Sequence, residues 1–299
     1  MITKEATAPA PAPAPAHREP PRKAGRRRPA WDEVPRWQIY LPLGVYLVFT
    51  LVPFYWILLF ALRPAGSTSL VPWPMTLDHF EKVWTDRSFG TFFQNSVYTG
   101  VATLLATTLV ALAGGYALAR FDFRAKRVFM LGLLCSQFVP GALLLVPLFE
   151  IFAELRMINS LGSVIIAETV FQLPLSIILI SNFIKNVPYS LEEAAWVDGC
   201  GRFRAFRIVV LPLLRPGLIA VGSFAFVHSW NHFLFALMFL NNQSKQTIPV
   251  GLNSLMSADS VDLGALAAGG IIAAVPVVIV FAFIQKWLIT GFSAGAVKG

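Results

Sequence analysis

The sequence predicts an all-α, polytopic membrane protein with six transmembrane helices, and three observations carry that expectation. Only 13% of residues are charged and 56% are hydrophobic, against about 25% charged in an ordinary globular domain, and mean hydropathy is +0.64. The apolar residues gather into six stretches, at 39–62, 96–119, 128–152, 163–184, 218–240 and 264–290. Each is close to the ~20 residues that cover a hydrocarbon core. The 25 Phe and 8 Trp suit lipid-facing surfaces and interfacial belts.

Taken in order, residues 1–36 are expected to be a disordered tail outside the transmembrane domain 37–299. Ala-Pro alternation over residues 8–16 favours polyproline II, and residues 18–28 are strongly basic. The tail runs into a full-length span without a small-residue cleavage site, so it reads as a solvated arm that helps fix orientation. A lipid-headgroup or regulatory contact is the sharper alternative. Within the spans, Pro42, Pro53, Pro140, Pro147, Pro174 and Pro276 predict kinks rather than loops, because neighbouring helices can satisfy the freed backbone groups. The last span carries polar Gln285-Lys286 near its end, and Lys286 is expected to snorkel to the interface. Of the connecting segments, 63–91 holds Pro72-Trp73-Pro74 and an amphipathic stretch at 77–84 suited to the membrane surface. Segment 241–263 is polar and holds Asp259 and Asp262. Both segments read as solvated loops, or as contacts for a soluble partner outside.

Orientation follows from the basic residues. Of the 24 Lys and Arg, 19 lie in the tail, in residues 120–127 and 185–215, and beyond residue 285. Only Arg63, Lys82, Arg87, Arg156 and Lys245 lie on the other side. The positive-inside rule then puts both termini and the 186–216 loop in the cytoplasm of a prokaryote's inner membrane. The net charge of +8 reports topology, and no separate basic domain points to nucleic acid.

The 186–216 loop is the most informative part of the chain. It carries Glu192, Glu193, Asp198, Arg202, Arg204 and Arg207 between two apolar spans. A charge at the bilayer centre costs roughly 2.5–3.5 kcal/mol on insertion scales, so this segment must project into water. Pro188 opens a short helix, residues 191–197 form it, and Asp198-Gly199 stops it. Ala194 and Ala195 leave one side small enough for close approach by another protein, which suits a part that docks.

Polar residues also occur inside the predicted spans, where they usually face a bundle interior or a water-filled path. The run His228-Ser229-Trp230-Asn231-His232-Phe233 falls near the midpoint of span five, Glu168 in span four and Gln137 in span three. These read either as the lining of a substrate path or as interhelical hydrogen-bonding groups. His228 and His232 are spaced for one helical face, but Ser229 stands where a zinc-protease pattern needs Glu, and no third ligand is evident, so no metal is expected. The two cysteines, Cys135 and Cys200, predict no disulfide or metal framework. A Walker Gly-rich loop and a Ser/His/Asp constellation are both absent, which excludes nucleotide hydrolysis by that route.

The loop residues Glu193-Ala194-Ala195, Asp198-Gly199 and Val209-x-Leu211-Pro212 resemble the "EAA" motif of binding-protein-dependent ABC importer permeases. Val209 stands where that family more often has Ile, and Cys200 where it often has Ala. Asn95-Ser96, Gln137-x-x-Pro140, Pro147, Asn159-Ser160, Leu173-Pro174 and Trp230-Asn231-x-Phe233 look like the carbohydrate branch. The ending from Gly291 to Gly299 is similar to that of the second permease subunit of maltose-type transporters. The match covers about residues 39–299.

The resemblance implies a type I ABC importer permease fold and a transport subunit rather than an enzyme. It implies pairing with a second permease subunit, two ATPase subunits that bind the ATP, and an extracytoplasmic solute-binding protein that delivers a sugar. No cofactor belongs to this chain itself. Glu192, Glu193, Ala194, Ala195, Asp198 and Gly199 would then form the ATPase-coupling helix. His228, Trp230, Asn231, His232, Phe233, Gln137 and Glu168 would line the substrate path. Two readings from other classes stand beside this one: a proton-coupled secondary transporter using Glu168, and an intramembrane metalloenzyme using His228 and His232.

Overall fold

The computed structural model describes residues 35–86, 88–256 and 261–296, with side chains through residue 285 apart from that of Asp86. The expected tail over 1–34, Arg87, Asp259 and the last three residues lie outside the described residues. Among the described residues no strand forms, and the elements are helices throughout. The described residues divide into two units, one before and one after the boundary between Leu51 and Val52. The described part of the first belongs to helix α1 (Arg36–Leu62), where residues 36–51 expose Leu41, Tyr46 and Phe49 as a lipid-facing surface would.

The second unit contains α2 (Asp78–Asp86), α3 (Phe89–Arg120), α4 (Lys126–Ser136), α5 (Leu145–Glu154), α6 (Leu161–Lys185) and α7 (Ser190–Val197). It continues with α8 (Arg202–Ala205), α9 (Leu211–Leu213), α10 (Arg215–Asn231), α11 (Leu234–Phe239), α12 (Ile248–Met256) and α13 (Leu263–Ala296). The centre of this unit is the crossing of α3 with α6, with α10 packed across α3. Sequence explains how closely these helices approach. On α3 the buried positions Ser96, Gly100, Thr103, Thr107, Ala111 and Gly115 follow helical spacing and are all small. At Gly115 a Cβ would stand 2.7 Å from Cγ2 of Ile180 and 3.0 Å from the backbone nitrogen of Ser181 on α6. At Gly217, which opens α10, a Cβ would stand 2.6 Å from the Phe183 ring.

Among the described residues four helices are long and apolar enough to cross a membrane: Arg36–Leu62, Phe89–Arg120, Leu161–Lys185 and the Leu263–Gln285 part of α13. The other two expected spans are bent helix pairs. Span 128–152 is two helical pieces, Lys126–Ser136 and Gly141–Glu154, set at 94°. The break falls at Pro140, which lacks an N–H and restricts the residue before it. Span 218–240 is also divided. Its main helix begins at Arg215 and meets the preceding segment Arg202–Leu213 at 73°. Pro216 cannot donate to the carbonyl of Pro212 there, and a π-helical turn at Phe206–Val210 precedes it. At the other end α10 stops at Asn231, because His232 takes an extended conformation before α11 begins. The Asn231 amide bonds back to the Val227 carbonyl, a local competitor of helix propagation. With each bent pair counted as one span, the total is up to six.

Four of the six span prolines, Pro42, Pro53, Pro174 and Pro276, lie within unbroken helices, while Pro147 sits in the first turn of α5. The helix α13 likewise passes through Gln285-Lys286 without interruption. The amphipathic stretch at 77–84 is α2, whose buried residues are His79 and Val83. Asp262 begins α13 by accepting from the Ala265 N–H at 3.0 Å, and Lys82 of α2 pairs with it at 3.0 Å.

A capped docking helix and an intramembrane polar cluster

The short helix expected in the 186–216 loop is α7, and its termination matches the residues that predicted it. Gly199 has φ +84°. Its N–H donates to Trp196 O at 3.0 Å, and the Cys200 N–H donates to Ala195 O at 2.9 Å. This is a Schellman closure, which needs a left-handed residue that glycine supplies without steric penalty. Along α7, Glu193, Ala194 and Val197 are exposed, Val197 at 88%. Asp198 and Gly199 are exposed with them. Phe203 adds a second apolar group exposed at 78%. The face offered outward is therefore a carboxylate beside small and apolar side chains.

Glu192 departs from the expectation attached to it. The sequence places it among the partner-facing residues, but it is fully buried. Its Oε1 accepts from Arg120 Nε at 2.6 Å and its Oε2 from the Tyr116 hydroxyl at 2.8 Å. Arg120 also donates to the Val187 carbonyl at 2.9 Å and lies over the Tyr189 ring at 5.3 Å. Helical phase is the reason: adjacent residues on a helix point about 100° apart, so Glu192 and Glu193 cannot share a face. Arg120 and Tyr116 were not singled out from sequence. They are 72 and 76 residues from Glu192, and only an Arg closing a long apolar helix hints at them.

The intramembrane candidates do not form one lining. Glu168 on α6 is 1% exposed and accepts hydrogen bonds from Thr103 of α3, at 3.2 Å, and from Ser229 of α10. His232 Nδ1 lies 3.9 Å from the other carboxylate oxygen, and the His228 and His232 rings are 5.2 Å apart. Since α10 ends at Asn231, His232 lies just beyond the helix, yet its ring still meets that of His228 one turn earlier, as the i, i+4 spacing predicts. Near this cluster, the buried Gln172 amide finds no hydrogen-bond partner among the described residues.

Trp230 lies away from Glu168 and borders the same cleft as Asn231. It is 2% exposed, stacks on Phe226, meets Phe93 edge-on and donates to the Ala273 carbonyl at 3.0 Å. Asn231 is exposed at an open cleft of about 430 Å³ against Ile248, Leu252, Gly270 and Val277. Gln137, at the end of α4, is exposed and lies 3.5 Å from the Phe171 carbonyl, while Phe233 is half-buried against the Phe235 cluster. Among the described residues no group of three His, Cys, Asp or Glu side chains could hold a metal ion, and Cys135 and Cys200 are free thiols.

Comparison with known proteins gives this arrangement a family. The profile described as "Binding-protein-dependent transport system inner membrane component" matches residues 111–293. The diacetylchitobiose uptake system permease protein DasC of Streptomyces coelicolor is 34% identical over 262 residues, covering 86% of this chain and 94% of that one. The trehalose transport system permease protein SugB of Mycobacterium tuberculosis is 29% identical, covering 84% of this chain and 93% of that one. In fold, the chain is similar to a bacterial ABC transporter that imports the acidic polysaccharide alginate. The TM-score is 0.73 at 20% identity, over 87% of this chain and 98% of that chain. The family profile spans α7, its Gly199 closure, and Glu168, Ser229 and His232 of the polar cluster, and the chain belongs to the inner-membrane components of binding-protein-dependent transport systems.

Proposed function

We propose that this chain is a permease subunit of an ATP-driven importer of sugars or oligosaccharides, with α7 as the element that docks onto an ATPase subunit. The carrying observation is α7 itself: a helix closed at Gly199 that presents Glu193, Ala194 and Val197 outward from the family's loop segment. The relatives named for diacetylchitobiose and trehalose uptake support the carbohydrate class. A second permease subunit, two ATPase subunits and an extracytoplasmic binding protein complete the proposed assembly. Both termini and α7 face the cytoplasm in this reading, supported by the distribution of Lys and Arg.

The proposed cycle is mechanical. ATP binding closes the ATPase pair, α7 moves with the subunit it is seated on, and the spans alternate between inward-open and outward-open states. Each ligand shifts that equilibrium only by its differential affinity for the two states. In the substrate path, Asn231 offers an amide beside an apolar cleft, which suits a sugar's mixture of hydroxyls and C–H faces. Trp230 serves as packing that holds the end of α10 against α13. The Glu168 carboxyl is engaged by hydroxyls of Thr103 and Ser229, which ties α3, α6 and α10 together at this point.

The test is reconstitution of the complete complex in vesicles with its binding protein and a panel of sugars and polyols. Binding protein loaded with the right sugar stimulates ATP hydrolysis and drives uptake. Uptake that persists on a proton gradient without ATP would rule the importer reading out.

A further inference from the structure

We propose that the buried Arg120–Glu192 pair is the joint through which displacement of α7 reaches the transmembrane helices, which makes Arg120 and Glu192 positioning residues for energy coupling. This rests on the reading of α7 as the docking element. Three observations carry it. First, one guanidinium grips the whole approach to α7: it donates to the Val187 carbonyl, lies over the Tyr189 ring and pairs with Glu192 in the first turn. Second, the pair is shielded from water, with side-chain exposures of 9% for Arg120 and 1% for Glu192. A desolvated, hydrogen-bonded ion pair keeps its geometry, because separating it leaves an uncompensated buried charge. A surface pair would yield instead.

Third, α7 has little other purchase on the membrane helices. Its extensive neighbours are the turns that follow it, α8 and the π-helical turn at Phe206–Val210. That turn returns to the same place, since the Phe206 ring meets the Tyr116 ring edge-on at 4.9 Å. The segments before and after α7 therefore both converge on the last turn of α3. Covalent continuity links α7 to α6, and the Arg120–Glu192 pair adds α3. Docked movement is thus delivered to two packed helices together rather than to one flexible linker.

The experiment compares variants of the whole reconstituted complex by three readouts: co-purification of the ATPase subunits, ATP hydrolysis, and sugar molecules imported per ATP consumed. Glu192→Gln and Glu192→Ala are expected to retain the ATPase subunits and hydrolyse ATP. Import per ATP should fall by about tenfold for Glu192→Ala, in the range of ordinary coupling between sites, and by less for Glu192→Gln. The exchanged double variant Arg120→Glu with Glu192→Arg should recover part of the ratio. A purely structural staple would lower the amount of assembled complex and leave the ratio of surviving complexes unchanged. Wild-type ratios in both Glu192 variants overturn the proposal. Where Glu192→Ala fails to insert, Glu192→Gln and Tyr116→Phe still decide between joint and staple through the same ratio. Glu193→Lys is the separate arm for the docking reading. If it leaves ATPase association intact, α7 is not the docking surface, whatever the joint does.

Discussion

Two glutamates in this chain are buried to the same degree and surrounded in opposite ways. Glu192 meets a guanidinium and a phenol in the last two turns of α3. Glu168 lies deeper along the α3–α6 crossing and meets two aliphatic hydroxyls, with the His232 ring at 3.9 Å. Both tie α6-side elements to α3. The first bond is ionic and directional, and suits a place where force is transmitted across a short lever. The second is a hydroxyl node shared by α3, α6 and α10, and suits a crossing whose helices must stay registered. Burial alone therefore does not define what a membrane carboxylate does; the chemistry of its partners does.

The largest expected effect separates the two sites directly. Removing one member of a buried ion pair destabilises by about 3–5 kcal/mol, whereas a lost hydrogen bond with neutral groups is worth about 1 kcal/mol. In detergent, the unfolding midpoint of Glu192→Ala should drop well below that of Glu168→Gln, whose amide oxygen still accepts from a hydroxyl. Equal drops would erase the distinction. Between the two glutamates, Gly115 sets the spacing of α3 and α6. Gly115→Val forces side-chain atoms against Ile180 and the Ser181 backbone, and such overpacking costs about 1–3 kcal/mol. Because Glu168 bridges this crossing and Glu192 ties α7 to the end of α3 just beyond it, the variant should lower the stability gain of each. A double-mutant cycle with Glu192→Ala or Glu168→Gln measures that as non-additivity.

The smallest effect belongs to a third carboxylate that is partly open to water. Hydrogen bonding from the Ala265 N–H, aided by Lys82, holds the Asp262 pKa below the usual carboxylate value. A folded-state pKa lowered in this way contributes stability above the ordinary carboxylate pKa, and that contribution is lost as pH falls through the lowered value. Asp262→Ala should cost about 1 kcal/mol as a lost helix cap. The difference from wild type should shrink at acid pH, and melting curves over a pH series check it.

Much of this was legible in the sequence, for reasons that are local. Apolar length gave the spans, and the stop at Gly199 was readable because a left-handed turn has few residue solutions. What sequence could not give is direction in space. Tandem Glu192-Glu193 reads as one acidic patch until helical phase turns one inward, and Arg120 acquires meaning only when α3 and α7 meet across 72 residues. Trp230 reads as a ligand platform beside Asn231 and borders the same cleft, and the packing of Phe93 and Phe226 on its ring is what sequence does not show. Pro140 reads as a kink and is a break, since nothing in a one-dimensional reading says whether neighbours will satisfy the freed groups. The end of α10 at Asn231 had no proline to announce it.

The closure of α7 has one more consequence, for how position 199 tolerates change. A Cβ built on Gly199 meets nothing within 4 Å, yet its φ is +84°. This site selects for handedness and is indifferent to bulk. At Gly115 the opposite filter operates, for there the backbone is ordinary helix and only volume is forbidden. A saturation library at 199 should consequently rank substitutions by their ease in the left-handed region, Asn ahead of Ala and Ala ahead of Val, with side-chain size carrying no information of its own.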